Sequence, residues 1–138
     1  MSARQSVRAF VLATSIWGAM VFFGAAPRAQ QGSAEAGVRD ALQRYSAALE
    51  SLDANAVKKV QPSIPADNLA KAFKDMRELK VRIDDVRVLS LDGSTARVSC
   101  KVTQTLTPKA GSRQTTAVTR VMRLRRATDM WVIDSFER

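Results

Sequence analysis

The sequence predicts an α+β domain: a cone-shaped, strongly curved antiparallel sheet with about three N-terminal helices packed on its concave face. Three observations carry that prediction. Residues 81–136 alternate apolar and polar side chains through four successive runs joined by short turns, which is the period of half-buried strands. Ahead of them, residues 38–60 and 66–79 repeat apolar side chains at three- and four-residue steps, giving each segment one apolar face and nothing of its own to bury it against. Helices followed by a run of strands is the order of a domain whose helices gather on one side of a mostly antiparallel sheet. The strand runs are long, and long antiparallel strands coil because each carries a right-handed twist. A conical interior with an internal pocket is therefore expected.

In the first helix, Val38, Ala41, Leu42, Tyr45, Leu49 and Leu52 form the buried stripe, while Arg39, Asp40, Gln43, Arg44 and Glu50 fall on other faces. Asp53 suits an N-cap for a short helix over 54–60, because its carboxylate accepts from the orphan N–H groups of the first turn. Pro62 and Pro65 end that segment, and Pro65 opens the next helix. Leu69, Ala72, Phe73, Met76 and Leu79 give this third helix its stripe, with Lys71, Lys74, Asp75 and Glu78 in water.

After Leu79 the period changes to two. Val81 and Ile83 share one phase and Val86 and Val88 the other, so a bulge at Asp84-Asp85 is expected to restore the register. Asp92-Gly93 closes the first hairpin. Ala96, Val98, Cys100 and Val102 then make a dry face against wet Arg97, Ser99, Lys101 and Thr103. Residues 108–112 are a Pro/Gly loop, and residues 114–126 form a third strand with Val118, Met122 and Leu124 in one phase. A turn at 127–129 leads to residues 130–136, where Trp131 and Ile133 share one face and Val132 and Phe136 the other.

Residues 1–29 read as a targeting segment. Arg4 and Arg8 form a positive n-region, residues 9–26 are an uncharged apolar run, and small residues follow, the layout of a signal peptide. The apolar run is also long enough to serve as an uncleaved signal anchor. The chain is expected to be exported, periplasmic or secreted, or alternatively membrane-anchored facing outside the cytoplasm if residues 1–29 stay attached. Residues 30–37 read as a polar linker and residues 38–138 as the domain.

Composition bounds the chemistry. A chain of 138 residues, 46% hydrophobic and 25% charged, is one ordinary globular domain plus at most a tail. The net charge is +9; outside the first 29 residues, 19 Lys and Arg against 13 Asp and Glu leave +6. That surplus either solubilises the surface or favours anionic partners. There is no histidine, which excludes Ser-His and Cys-His dyads, His-ligated zinc and the usual general base near neutral pH. The single cysteine, Cys100, makes no internal disulfide and no Cys-rich metal site. No metal and no cofactor are expected, and Cys100 reads as a small buried hydrophobe. Arg97, Lys101, Arg123 and Arg125 occupy the wet phases of neighbouring strands. Without interleaved aromatics for base stacking, this stripe reads as a solvated face and not as a nucleic-acid surface.

Two stretches carry a family resemblance. Arg44-Tyr45-Ser46-Ala47-Ala48-Leu49-Glu50-Ser51-Leu52-Asp53-Ala54-Asn55-Ala56-Val57 sets an Arg-Tyr before Ala-Leu and then a Leu-Asp that opens a second helix. Trp131-Val132-Ile133 opens the closing strand on a Trp. With a long helix, a short helix, a third helix and a curved meander, the chain resembles the nuclear transport factor 2-like superfamily over about residues 38–136. That superfamily includes ketosteroid isomerases, SnoaL-like polyketide cyclases and small exported domains. The resemblance implies the cone-shaped fold and a homodimer through the open sheet face. It implies no single activity, because this fold hosts enzymes and non-enzymes alike.

Tyr45 is the sharpest candidate under that resemblance: in ketosteroid isomerases a first-helix Tyr donates a hydrogen bond to the enolate oxygen. From the residues alone, Tyr45 is a core aromatic whose hydroxyl finds a partner at a pocket rim. An isomerase would also need an Asp base and a second acid. Asp84, Asp85, Asp92, Asp129 and Asp134 are available, but none is in phase with a dry face. Arg120 shares the phase of Val118, Met122 and Leu124 and is expected to point inward. An unpaired charge there costs on the order of several kcal/mol, so it pairs, meets an anionic ligand, or reaches water by strand twist. Tyr45, Phe73, Met76, Arg120, Met122 and Trp131 make the expected ligand-binding set. The function expected is a non-catalytic exported module that binds a small apolar or amphipathic ligand, anionic where Arg120 meets it. The alternatives are an isomerase- or cyclase-type enzyme using Tyr45, and a membrane-anchored assembly domain resembling type IV secretion scaffolds.

Overall fold

The apolar stripe of the first helix decides how the domain closes. In a computed structural model, which describes residues 28–138, α1 (Arg28–Glu50) buries Val38, Ala41, Leu42, Tyr45, Ala48 and Leu49. The expected targeting segment lies outside the described residues apart from the first residues of α1. The expected linker at 30–37 is instead part of that helix. Ala34, Glu35 and Ala36 are good helix formers, Arg39 pairs with Glu35 one turn earlier at 3.0 Å, and Ala34 packs on the core. Leu52, at φ 54°, turns the chain out of the helix. Asp53 then caps α2 (Ala54–Val60) by accepting the Asn55 N–H at 2.9 Å, and Pro65 opens α3 (Ala66–Lys74).

Four strands follow: β1 (Met76–Leu91), β2 (Thr95–Pro108), β3 (Gln114–Ala127) and β4 (Met130–Glu137). The helix expected to run to residue 79 stops at Lys74, and Met76 and Leu79 belong to β1. Their partners, Pro108 and Leu106, are too distant in sequence for a local period to reveal. The sheet is a curved, unclosed antiparallel meander in the order β1-β2-β3-β4, and α1 packs against both outer strands. The expected bulge is present: the register shifts between Asp84 and Arg87, with Asp85 at φ 53°.

One core fills the concave side. Val38 and Val57 from the helices meet Val98, Cys100, Met122, Leu124 and Ile133 from the sheet, all at most 1% exposed. A register shift between Arg123 and Leu124 moves the end of β4 by one step. Phe136 therefore pairs with Met122 and faces inward with Ile133, and does not share the face of Val132 as simple alternation predicts.

Candidate functional site

On the concave face of β2 and β3, successive cross-strand pairs are Val98–Met122, Cys100–Arg120, Val102–Val118 and Gln104–Thr116. The first lies under α1 with no exposure at either side chain. Further along, the cover ends. The last β3–β4 pair is Val121–Glu137, so among the described residues no strand flanks β3 over 114–120 on the side away from β2, and every residue there is exposed. The concave face thus opens into a trough floored by Val102, Gln104, Thr116 and Val118, the last 39% exposed.

Buried Tyr45 and half-buried Phe136 form one wall of this trough, their ring centroids 6.2 Å apart and the rings tilted by 49°. The Arg120 guanidinium stands 5.6 Å from the Phe136 centroid, within reach of the ring's negative face. Arg120 is therefore in the inward phase, as read from the sequence, but it is exposed and not buried, because β4 stops short of it. It takes part in none of the ion pairs among the described residues. Burial pushes the Tyr45 hydroxyl above its ordinary value; the Arg120 charge opposes this and the Cys100 thiol adds to it. Burial likewise raises the Cys100 thiol.

No carboxylate bears on Tyr45. Asp84 pairs with Arg82, and Asp134 with Arg125. Asp92 closes the first hairpin by accepting from the Ser94 and Thr95 N–H groups. Asp85 and Asp129 are exposed. The arrangement offers a cation on an aromatic face beside a buried, protonated phenol. It can hold an anionic group and an apolar body, and it presents no general base.

The six sequence-predicted residues come to rest in different places. Tyr45 and Arg120 are brought to the trough, with Met122 fully buried as the cross-strand partner of Phe136. Met76 is half-buried at the start of β1. Phe73 lines a groove of about 460 Å³ between α2 and α3, with Leu52, Ala66 and Ala70. Trp131 lines another of about 470 Å³ between the start of α1 and the strand turns, with Gly37, Gly93, Arg126 and Asp129. Phe136 was missed, and only the β4 register shift would have revealed it. On the convex face, Arg97 and Arg123 share Glu137, at 2.8 and 2.9 Å, and Arg125 pairs with Asp134, so three of the four cations of the basic stripe are paired, through two carboxylates. Among the described residues no three metal-capable side chains cluster, and no helix is long and apolar enough to cross a membrane.

Neither a family model nor a curated protein matches the sequence. Solved structures do match. A Streptomyces avermitilis protein of the NTF2-like family, described as a dehydratase, superposes with a TM-score of 0.65 at 17% identity, over 77% of this chain and 95% of its own. The chain has the NTF2-like fold. A Novosphingobium aromaticivorans protein described as a scytalone dehydratase gives 0.69 at 9% identity, covering 80% of this chain and 85% of that one. The hexachlorocyclohexane dehydrochlorinase LinA-type3 of Novosphingobium barchaimii gives 0.64 at 9%, covering 79% and 87%. At these identities the likeness is one of fold.

Proposed function

We propose that this chain is a non-catalytic binding module that takes a small amphipathic ligand with an anionic group in the trough between Arg120, Phe136, Tyr45 and Val118. The observation that supports this most is the Arg120 guanidinium, held over the Phe136 ring without a carboxylate partner. A carboxylate-bearing ligand would pair with Arg120 and lay its apolar part on Val118 and Phe136, while the protonated Tyr45 hydroxyl donates. Neighbours of the same fold are described as a dehydratase and a dehydrochlorinase. Elimination or isomerisation needs a base at the substrate. This chain has no histidine, and its carboxylates lie away from Tyr45, which favours binding over turnover. The positive n-region and apolar run in residues 1–29 support reading this module as exported.

Native mass spectrometry of the gently purified protein tests the proposal, followed by titration with aromatic and aliphatic carboxylates. Retention or binding of an anionic amphiphile, weakened about tenfold or more in Arg120→Ala, is the expected result. Binding that is unchanged in Arg120→Ala, or no binding across the panel, overturns it.

A further inference from the structure

A strand at the edge of a sheet leaves a row of unpaired N–H and C=O groups, and folded proteins usually guard it with charges, proline, bulges or a covering element. This sheet guards two of its three free stretches. Along β1, the Glu50 carboxylate accepts the Val81 N–H at 2.9 Å, register shifts interrupt the strand at Asp84/Arg87 and Val88/Ser90, and Lys80, Arg82 and Arg87 supply charge. Along β4, Arg44 Nη2 donates to the Trp131 carbonyl and Ser63 Oγ to the Asp134 carbonyl, both at 2.9 Å.

The third stretch, residues 114–120 of β3, has none of these devices apart from one charge at its end. Its pairing to β2 is continuous from Leu106↔Gln114 to Cys100↔Arg120, and it contains no proline. Its sequence, Gln-Thr-Thr-Ala-Val-Thr-Arg, is rich in β-branched residues that favour strands. Arg120 is its one charge.

We infer that this edge pairs with the same edge of a second copy, joining the two sheets across a two-fold axis at Ala117. The free window fixes the register. β4 blocks further pairing at Val121, and the loop before Gln114 limits the other end, so an antiparallel copy that uses the whole window sets Ala117 against the partner's Ala117. Thr115 then faces the partner's Thr119, Thr116 the partner's Val118, and Gln114 the partner's Arg120. No like charges meet, and Thr–Thr and Thr–Val are favourable cross-strand pairs. Each residue meets one of its own face, so the concave troughs become continuous. Pairing through the convex face would instead have to bury the Arg97–Glu137–Arg123, Arg82–Asp84 and Arg125–Asp134 groups, whose desolvation opposes association.

Cysteine mapping tests the register directly, because Cys100 is fully buried and an introduced thiol is then the exposed one. Ala117→Cys is expected to form a disulfide-linked dimer under mild oxidation. Thr115→Cys or Thr119→Cys alone is expected to stay uncrosslinked, while the double variant links. Sedimentation of the unmodified protein is expected to show a concentration-dependent dimer, weakened at least tenfold by Ala117→Asp, which sets two carboxylates face to face. Circular dichroism and the unfolding midpoint confirm that the variants fold; should Ala117→Asp misfold, the cysteine pattern decides. A monomer up to millimolar concentration, or a dimer that links through Thr115→Cys alone and not through Ala117→Cys, overturns the pairing.

Discussion

Gly37 of α1 lies so close to the indole of Trp131 that a β-carbon there would stand 2.7 Å from Cδ1 and 3.0 Å from Nε1. Trp131 is 5% exposed, and its carbonyl accepts from Arg44 of the same helix, which ties the strand to α1 at this contact. Overpacking of this kind costs about 1–3 kcal/mol, which exceeds or matches the gain of about 1 kcal/mol that alanine brings to a helix. Gly37→Ala is therefore expected to lower stability by about 1 kcal/mol in urea unfolding. Gly32 of the same helix has nothing within 4 Å of a β-carbon, so Gly32→Ala should move stability the other way. Stabilisation by both substitutions would contradict the close contact.

What was readable in the chain depended on whether the signal was local. The bulge at Asp84-Asp85 follows from a slip in apolar phase, and the hairpin from Asp92-Gly93; both are properties of a few adjacent residues. The end of α3 was not readable, because Met76 and Leu79 satisfy a three-residue helical step as well as they satisfy strand alternation. Pairing with Pro108 and Leu106 decides it, and that pairing is non-local. Arg120 shows the same division. Its phase came from Val118 and Met122, but its exposure depends on where β4 ends, which β3 does not encode. Trp131 was grouped with Tyr45 as an apolar lining residue, yet its neighbour is Gly37, inside a helical segment that had read as a linker.

Cys100 has no exposure, and burial raises its thiol above the ordinary range. The thiolate is the reactive form, so both access and ionisation suppress its chemistry. Labelling by a thiol reagent is expected to be negligible in native buffer and to rise with urea in step with unfolding. Rapid labelling of folded protein would show that the region between β2 and β3 opens locally.

Tyr45 is the only tyrosine in the chain, so phenolate absorbance reports it alone. Burial raises its pKa above 10.0, against the Arg120 charge. The folded state thus holds this proton more tightly than the unfolded state does. The resulting stability is full below pH 10 and is lost as pH rises through the folded value. Removing the cation in Arg120→Ala should push the titration midpoint higher still. A midpoint that falls, or stays fixed, would mean that Arg120 does not bear on the hydroxyl.

Glu137 of β4 ties down two cross-strand partners, accepting from Arg97 on β2 and Arg123 on β3. The hydrogen bonds from Arg97 first, and then Arg123, hold its carboxyl down to about 2 from an ordinary 4.5. Between those values the unfolded chain binds a proton that the folded one does not, so stability falls with pH through this window. Asp92 is also lowered to about 2, first by the Ser94 N–H, so the wild type loses two such contributions together. Comparison with Glu137→Gln isolates one of them. The Tm gap between the two proteins is expected to be constant above about pH 5, to close between about 4.5 and 2, and to narrow with added salt as the exposed pairs are screened. A gap that persists at pH 2 would assign the contribution of Glu137 to packing and not to charge.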